Sequence, residues 1–363
     1  MIYLAWFILV FAFIRFMVAT VNLIFDPRLK PTDLKGKPFV SVLIPARNEA
    51  LTISNILNDL TIQDYTNLEI IVFDDDSTDD TRDVVEQFSV QNPKIQLIHS
   101  EKLPGGWLGK NYGCHTLSHY ANGDYFLFLD ADVRVRNTLI ASAIARLRQK
   151  GLGLLSIFPT QEMHTTGEKI IVPVMNIILL SLLPLVLVRN SKKPSLAAAN
   201  GQFMLFDARV YRKLKPHEIT RENKVEDIAI ARYYKKEGIK IDCLTGNDSI
   251  RCRMYTGYSD AVNGFSKNMA AFFGNSHVLA IIYWLITTFG IFAVIIALPV
   301  GLIVAYLIAI ILCRIFISII SKQNIIENLI YIIPQQFATG HINYTAFLNL
   351  LFKPYKWKGR DIK

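Results

Sequence analysis

The chain has 363 residues, 52% hydrophobic and 19% charged, with 39 Lys plus Arg against 30 Asp plus Glu. That apolar content excludes a disordered chain. Four cysteines without a CxxC pair exclude a secreted disulfide scaffold, a zinc ribbon and a thioredoxin motif, and read as reduced thiols facing a cytosol. The formal charge of +9 suits a nucleotide or an anionic membrane surface, and no aromatic–basic module points to nucleic acid.

Residues 2–25 are an apolar run broken only by Arg15. A membrane span needs about 20 such residues. No basic residue precedes the run, and it exits through Asp26, Pro27 and Arg28 rather than a small-residue cleavage site. Residues 1–26 are therefore expected to be an uncleaved anchor.

From residue 38 the pattern changes. Short apolar runs at 39–44, 68–73, 95–98, 125–129 and 154–158 have strand length, with helical stretches near 49–60, 79–90, 109–121 and 137–148 between them. Ser77 or Thr78 is expected to cap the second helix, with Asp79 and Asp80 in its first turn. The alternation predicts an α/β domain over 38–250 with a mostly parallel sheet and helices on both faces. Such sheets bind ligands at the carboxyl ends of their strands. No G-x-G-x-x-G follows a strand and no G-x-x-x-x-G-K-[ST] occurs. Those absences argue against a dinucleotide dehydrogenase and a P-loop NTPase.

The loops at those strand ends carry the chemistry. Asp130-Ala131-Asp132 follows 125–129, and positions i and i+2 of an extended segment project to one side. Two carboxylates there are hard ligands for Mg²⁺ or Mn²⁺, which would hold a diphosphate. The run 74–79, Asp-Asp-Asp-Ser-Thr-Asp, ends a buried strand. Alone it reads as a solvated acidic turn; beside the other loops, one carboxylate can accept a base N–H of a nucleotide. Arg47 on the neighbouring loop can meet the ribose or phosphates. Within Pro104-Gly105-Gly106-Trp107-Leu108-Gly109-Lys110, the glycines allow close backbone approach, and Lys110 opens a helix toward the diphosphate. Glu226 and Asp227 open a helical run. They suit a helix dipole, and Asp227 also suits a general base for an attacking hydroxyl. Gly201-Gln202 enters the strand-like 203–206 and is a candidate acceptor contact.

The remaining segments are apolar. Residues 170–188 are interrupted by Pro173, Asn176 and Pro184 and read as a span, a re-entrant segment or an interfacial helix, the last favoured because a span there would split the catalytic constellation. In 251–277, Val262, Phe265, Met269, Phe272 and Phe273 recur at near-helical spacing. They predict an interfacial amphipathic segment or a helix packed on the catalytic domain. Residues 278–313 contain no charge, and Pro299 and Gly301 divide the stretch into two spans near 278–298 and 301–320. Residues 321–363 are expected to hold an interfacial segment, interrupted by Glu327, Pro334, Gln335 and Gln336, and a basic tail with Lys353, Lys356, Lys358 and Arg360. Arg28, Lys30, Lys35, Lys37, Lys267, Lys322 and the tail all flank one side of this scheme, which the positive-inside rule makes cytoplasmic. A multi-pass cell-membrane protein with its α/β domain in the cytoplasm is expected.

Taken together, Ser41-Val42-Leu43-Ile44-Pro45-Ala46-Arg47-Asn48-Glu49, the 74–79 run, Asp130-Ala131-Asp132 and Glu226-Asp227 resemble the family 2 glycosyltransferases over about residues 38–245. Trp107-Leu108-Gly109-Lys110, Arg253-Met254-Tyr255, Gly264-Phe265-Ser266-Lys267-Asn268 and Trp357-Lys358-Gly359-Arg360 look like the membrane-bound branch with bacterial carotenoid (diaponeurosporenoate-type) and hopanoid-associated enzymes. The resemblance implies a GT-A fold, a UDP-sugar donor with glucose as the expected sugar, and inversion in one displacement. It implies a membrane-soluble lipid acceptor, such as a carotenoid or related isoprenoid. Asp74 or Asp75 would contact uracil, and Pro45, Arg47, Asn48, Glu49, Lys110 and Asp130 would complete the donor site. Asp132, with Asp130, would hold the metal; Asp227, with Glu226, would be the catalytic pair. A polymer-extruding synthase is the alternative, but the stretch Arg251-Cys252-Arg253-Met254-Tyr255 stands where such enzymes carry Q-x-x-R-W.

Overall fold

A computed structural model of the chain describes residues 1–100 and 102–352 and, for secondary structure only, 355–357 and 360–362. Lys353, Lys358 and Gly359 of the expected basic tail lie outside the described residues.

The chain opens with α1 (Ile2–Phe25) and then alternates: β1 (Val40–Ala46), α2 (Ile53–Thr61), β2 (Leu68–Asp74), α3 (Thr81–Gln91), β3 (Ile95–His99), α4 (Gly109–Tyr120) and β4 (Tyr125–Leu129). A short β5 (Val133–Val135) leads to α5 (Leu139–Lys150), β6 (Leu154–Phe158) and β7 (Thr160–Gln161). Three short helices follow, α6 (Thr166–Ile171), α7 (Pro173–Leu182) and α8 (Val186–Asn190). Next come β8 (Phe203–Asp207), α9 (Ala208–Leu214), α10 (Pro216–Ile219), α11 (Glu226–Lys236), β9 (Ile241–Thr245) and β10 (Ile250–Cys252). The last helices are α12 (Tyr258–Phe272), α13 (His277–Ala297), α14 (Val300–Ile320), α15 (Ile325–Ile330) and α16 (Ile332–Phe352).

Seven strands form one sheet in the order β3-β2-β1-β4-β8-β6-β9. All neighbours are parallel except β8, which runs antiparallel to both β4 and β6. This exception positions the site. Phe203, the first residue of β8, pairs with Leu129, the last of β4. The loop before β8 therefore arrives beside Asp130–Asp132. Strand periodicity sorts the core. Val40, Val42 and Ile44 of β1 pack on one face with Ile70, Val72 and Leu127. Leu43, Ile71, Phe73, Phe126 and Phe128 pack on the other. That second cluster continues through Ile177 and Leu180 of α7 to Ala19 of α1 and Ile317 of α14, so the sheet and the apolar helices share one core.

α1, α13 and α14 are each long and apolar enough to cross a membrane. At 1.5 Å per residue, about 21 residues reach across the roughly 30 Å hydrocarbon layer. Four expectations need correction. Neither Ser77 nor Thr78 caps α3: Asp80 precedes Thr81, and Asp79 instead accepts the Thr81 N–H at 3.1 Å and the Thr81 hydroxyl at 2.5 Å. The boundary expected at residue 250 falls inside β10, which pairs with β5 and β7. Residues 170–188 are not laid open on an interface: Pro173 to Ser181 are all buried, and the helix stops before Pro184. In 325–352, Pro334 does not interrupt α16, because it sits in the first turn, where no intrahelical N–H bond is lost. In 251–277, Ala261, Val262, Phe265 and Met269 of α12 are buried in one cluster with Ile342 and Ala346 of α16.

Asn22 of α1 fastens the anchor to the domain. Its amide N–H₂ donates to the carbonyls of Leu180 and Leu183, both at 2.9 Å, and its Oδ1 accepts from the Leu185 N–H at 2.7 Å. Removing a partner from a buried polar group costs about 1–3 kcal/mol. Asn22→Ala is therefore expected to lower the unfolding temperature of the detergent-solubilised chain by several degrees. Thr20→Ala removes only a hydroxyl bonded within α1 to Phe16 and should leave the melt nearly unchanged.

Candidate active site

The first two site loops are zipped to each other. Arg47 is 8% exposed and donates to the main-chain carbonyls of Asp75 and Asp76. The Asn48 N–H donates to the Ser77 hydroxyl at 3.0 Å, and Asn48 Oδ1 accepts from the Thr78 N–H at 2.8 Å. The Glu49 N–H meets Thr81 Oγ1 at 2.7 Å, and the Ala50 N–H meets Asp79 at 3.1 Å. Arg47 is thus a clasp on the 74–79 loop. Asn48 and Asp76 hold positive φ of 53° and 56°, a conformation their short polar side chains tolerate. Asp74 and Asp75 are both buried at the end of β2, and Pro45 lies one residue before the end of β1, paired with Phe73.

Further along the sheet edge, acids converge on one lysine. Lys110, in the first turn of α4, places its Nζ 2.8 Å from Asp130 Oδ1 and 3.2 Å from Glu226 Oε1. Burial works against its charge, but Asp130 and Glu226 outweigh burial and hold the ammonium well above the usual lysine value. Asp227 stands next to Glu226 in the first turn of α11; its Oδ2 accepts from the Gly201 N–H at 2.9 Å and its Oδ1 from the Ile228 N–H at 2.7 Å. A Cβ on Gly201 would lie 3.1 Å from Lys110 Nζ and 3.2 Å from Glu226 Oε1, so the absence of a side chain there lets the three groups close in.

Two carboxyls are pushed far above the ordinary range. Asp227 rises to about 7 because of burial and the Glu226 charge. Asp132 also rises to about 7, through burial and then the charges of Asp130 and Glu49. Its Oδ1 is buried without a hydrogen-bond partner.

Residues 41–215 match the family model described as "Glycosyl transferase family 2". This stretch is a family 2 glycosyltransferase domain. The chain is 25% identical over 253 residues to a 4,4'-diaponeurosporenoate glycosyltransferase of Staphylococcus haemolyticus, covering 68% of this chain and 66% of that one. It is 24% identical over 255 residues to the protein of that name in Staphylococcus aureus USA300, covering 68% and 65%. The chain thus spans just under two thirds of the length of these relatives. Among solved structures it is similar to mannosyltransferase PcManGT from Pyrobaculum calidifontis, in complex with GDP-Man and Mn²⁺, with a TM-score of 0.56 and 17% identity over 96% of this chain and 99% of that one. That likeness establishes the fold, GT-A with a mostly parallel central sheet.

Beside the candidate site lie residues that the sequence left without a role. Cys252 pairs in register with Val133, beside Asp132, and its sulfur accepts from Gln202 at 2.8 Å. Gln202 is thus buried against Cys252. Tyr255 packs so closely on Gly264 that a Cβ there would fall 2.2 Å from the Tyr255 oxygen. The signal for both lay in Arg251–Tyr255 and in the glycine of Gly264-Phe265, but only the fold brings those segments to the Asp132 loop.

A divalent cation fits Asp130 and Asp132. The donors are hard oxygens, one is an unpartnered buried atom, and the local charge is strongly negative. Among the described residues no group of three His, Cys, Asp or Glu could hold a metal unaided. Oxygens from a bound ligand would have to complete the shell.

The raised Asp132 pKa has a stability consequence of definite sign. An ordinary carboxyl titrates near 3.8 and Asp132 near 7, so folding binds its proton more tightly, and ionising it costs stability as pH rises between those values. In cation-free buffer, Asp132→Asn should melt higher than wild type at pH 8, with the difference shrinking toward pH 4. A difference independent of pH would contradict this.

Proposed function

We propose that the chain transfers a sugar from a nucleotide sugar, a UDP-hexose with glucose the expected sugar, to an O–H group of a membrane-dissolved isoprenoid, inverting the anomeric centre. The observation that carries this reading is the convergence of Asp130, Glu226 and Asp227 on Lys110 around Gly201, at the strand ends where this fold places its ligands. The names of the Staphylococcus relatives support a carotenoid-type acceptor, and the nucleotide sugar in the PcManGT structure supports the donor class.

Each group has a place in the displacement. Asp74 and Asp75 accept from the base. Lys110 faces the diphosphate. Asp130 and Asp132 would hold Mg²⁺ or Mn²⁺, which supplies positive charge to the departing diphosphate. Asp227 takes the acceptor proton as the acceptor oxygen bonds to the anomeric carbon and the sugar–phosphate bond breaks. A base works best with a pKa near the working pH, and Asp227 at about 7 meets that condition. Glu226 contributes by keeping it there. The apolar helices α1, α13 and α14 support a multi-pass chain at the cell membrane, with the domain on the cytoplasmic side marked by the basic flanks.

Removing a general base typically costs about 10²–10⁴ in rate. Asp227→Asn should lose that much turnover while melting like a folded protein. Glu226→Gln should move the acid limb of the kcat/KM profile to lower pH, because the neighbouring negative charge that raises Asp227 is gone; a limb that stays or rises would reject the pair.

The decisive test compares total lipid extracts by mass from cells that supply the native lipids, expressing either wild type or Asp227→Asn. A species heavier by one hexose only with wild type is the expected result. No such species, with both proteins present in membranes, would turn attention to polymer products.

A further inference from the structure

We propose that the helix bundle holds a second, separate anion site between Arg15 of α1 and Arg314 of α14, sized for a small monoanion: a halide or the carboxylate end of an amphiphile. Both guanidinium groups line one cavity of about 30 Å³ enclosed by α1, α13, α14 and α16. Arg314 is 4% exposed, and Arg15 is half-buried. Arginine stays protonated in any protein environment, so the cavity wall carries two positive charges inside the apolar bundle. Their protein partners are neutral. Arg314 donates to Gln335 Oε1 at 2.5 Å, Arg15 donates to the Ser181 hydroxyl at 3.2 Å, and Arg15 lies 5.3 Å over the ring of Tyr283.

No acid can reach them from the cavity walls, because α1, α13, α14 and α16 contain no Asp or Glu. The nearby acid, Glu327 of α15, is already bonded to Lys169 at 2.7 Å. A charge buried in a low-dielectric bundle without an opposite charge is among the costliest arrangements a protein can hold, and such residues in membrane helices mark ion or substrate sites. Among the described residues none pairs with either guanidinium as a countercharge, which leaves that role to a bound anion. The cavity volume exceeds the roughly 10–15 Å³ that one water needs and suits an ion of one to three heavy atoms. An intact phosphate ester is too large for it.

The test uses the full chain in non-ionic detergent at constant ionic strength. Unfolding temperature is followed as chloride replaces gluconate, which is too bulky for the cavity, and separately as oleate replaces oleyl alcohol in the micelle. A saturable rise with chloride assigns a halide site, and a rise with oleate alone assigns an amphiphile carboxylate. In either case Arg15→Gln and Arg314→Gln should each lose most of the rise. Bromide substituted for chloride should give an anomalous peak between α1 and α14 if the occupant is a halide. No saturable rise in the wild-type protein with either anion would overturn the proposal, as would equal rises in the variants. The wild-type titrations decide this even if a variant fails to fold.

Discussion

The arrangement of the catalytic end rests on crowded negative charge at one sheet edge. Asp130, Asp132, Glu226 and Asp227 share a small space with one cation, Lys110, and Glu49 adds its charge to Asp132. Lys110 bridges two of the acids, and the surplus is expressed as two carboxyls that hold their protons near neutral pH. To the extent that neighbouring negative charges raise these carboxyls, a bound cation would relieve the same repulsion. The same repulsion that costs folding stability is therefore available to bind a cation and, through it, an anionic ligand.

Such crowding persists only if the backbone cannot relax away from it. The antiparallel insertion of β8 brings the Asn200–Gln202 loop against Asp130, whose N–H donates to the Gln202 carbonyl at 3.3 Å. Gly201 then clips Asp227 through its N–H. On the other flank, the Arg47 clasp and the Asn48–Thr78 contacts tie two loops into one rigid rim. Main-chain N–H groups hold Asp227, and Lys110 bridges Asp130 and Glu226, which together fix the geometry.

Much of this was legible in the sequence. The alternation of apolar runs and helical stretches placed β1 to β4 and β6 within a residue or two, since a parallel sheet buried on both faces leaves a strong periodic imprint. Asp130 and Asp132 stood out because a short polar loop after a buried strand has few structural reasons to carry paired acids, whereas Glu226 and Asp227 open a helix, where acids also suit the dipole. The zipper between the first two loops was not legible, because Arg47 uses main-chain carbonyls, which leave no pattern in side-chain order. Cys252 and Tyr255 were opaque for another reason: their place beside Asp132 comes from a three-stranded pairing between segments more than 90 residues apart.

In the membrane-side segments the medium decides which face of a helix is buried. In α16 the buried stripe includes Gln335, Thr339 and Asn343, while Ile333, Phe337, Tyr344 and Phe347 point outward. For a helix in water that is inside out. It is the stable arrangement when the outside is hydrocarbon, because polar side chains then gain by bonding within the bundle and apolar ones lose nothing by facing lipid. The bonds follow that logic: Gln335 joins Arg314, Asn328 and the Lys169 carbonyl. Lys169 belongs to α6, whose Glu168 holds Arg253 at 2.9 Å, next to the Cys252 that sits beside Asp132. Polar contacts and short stretches of main chain thus connect the bundle to the acidic rim. The apolar helices are thus part of the same structure as the candidate site.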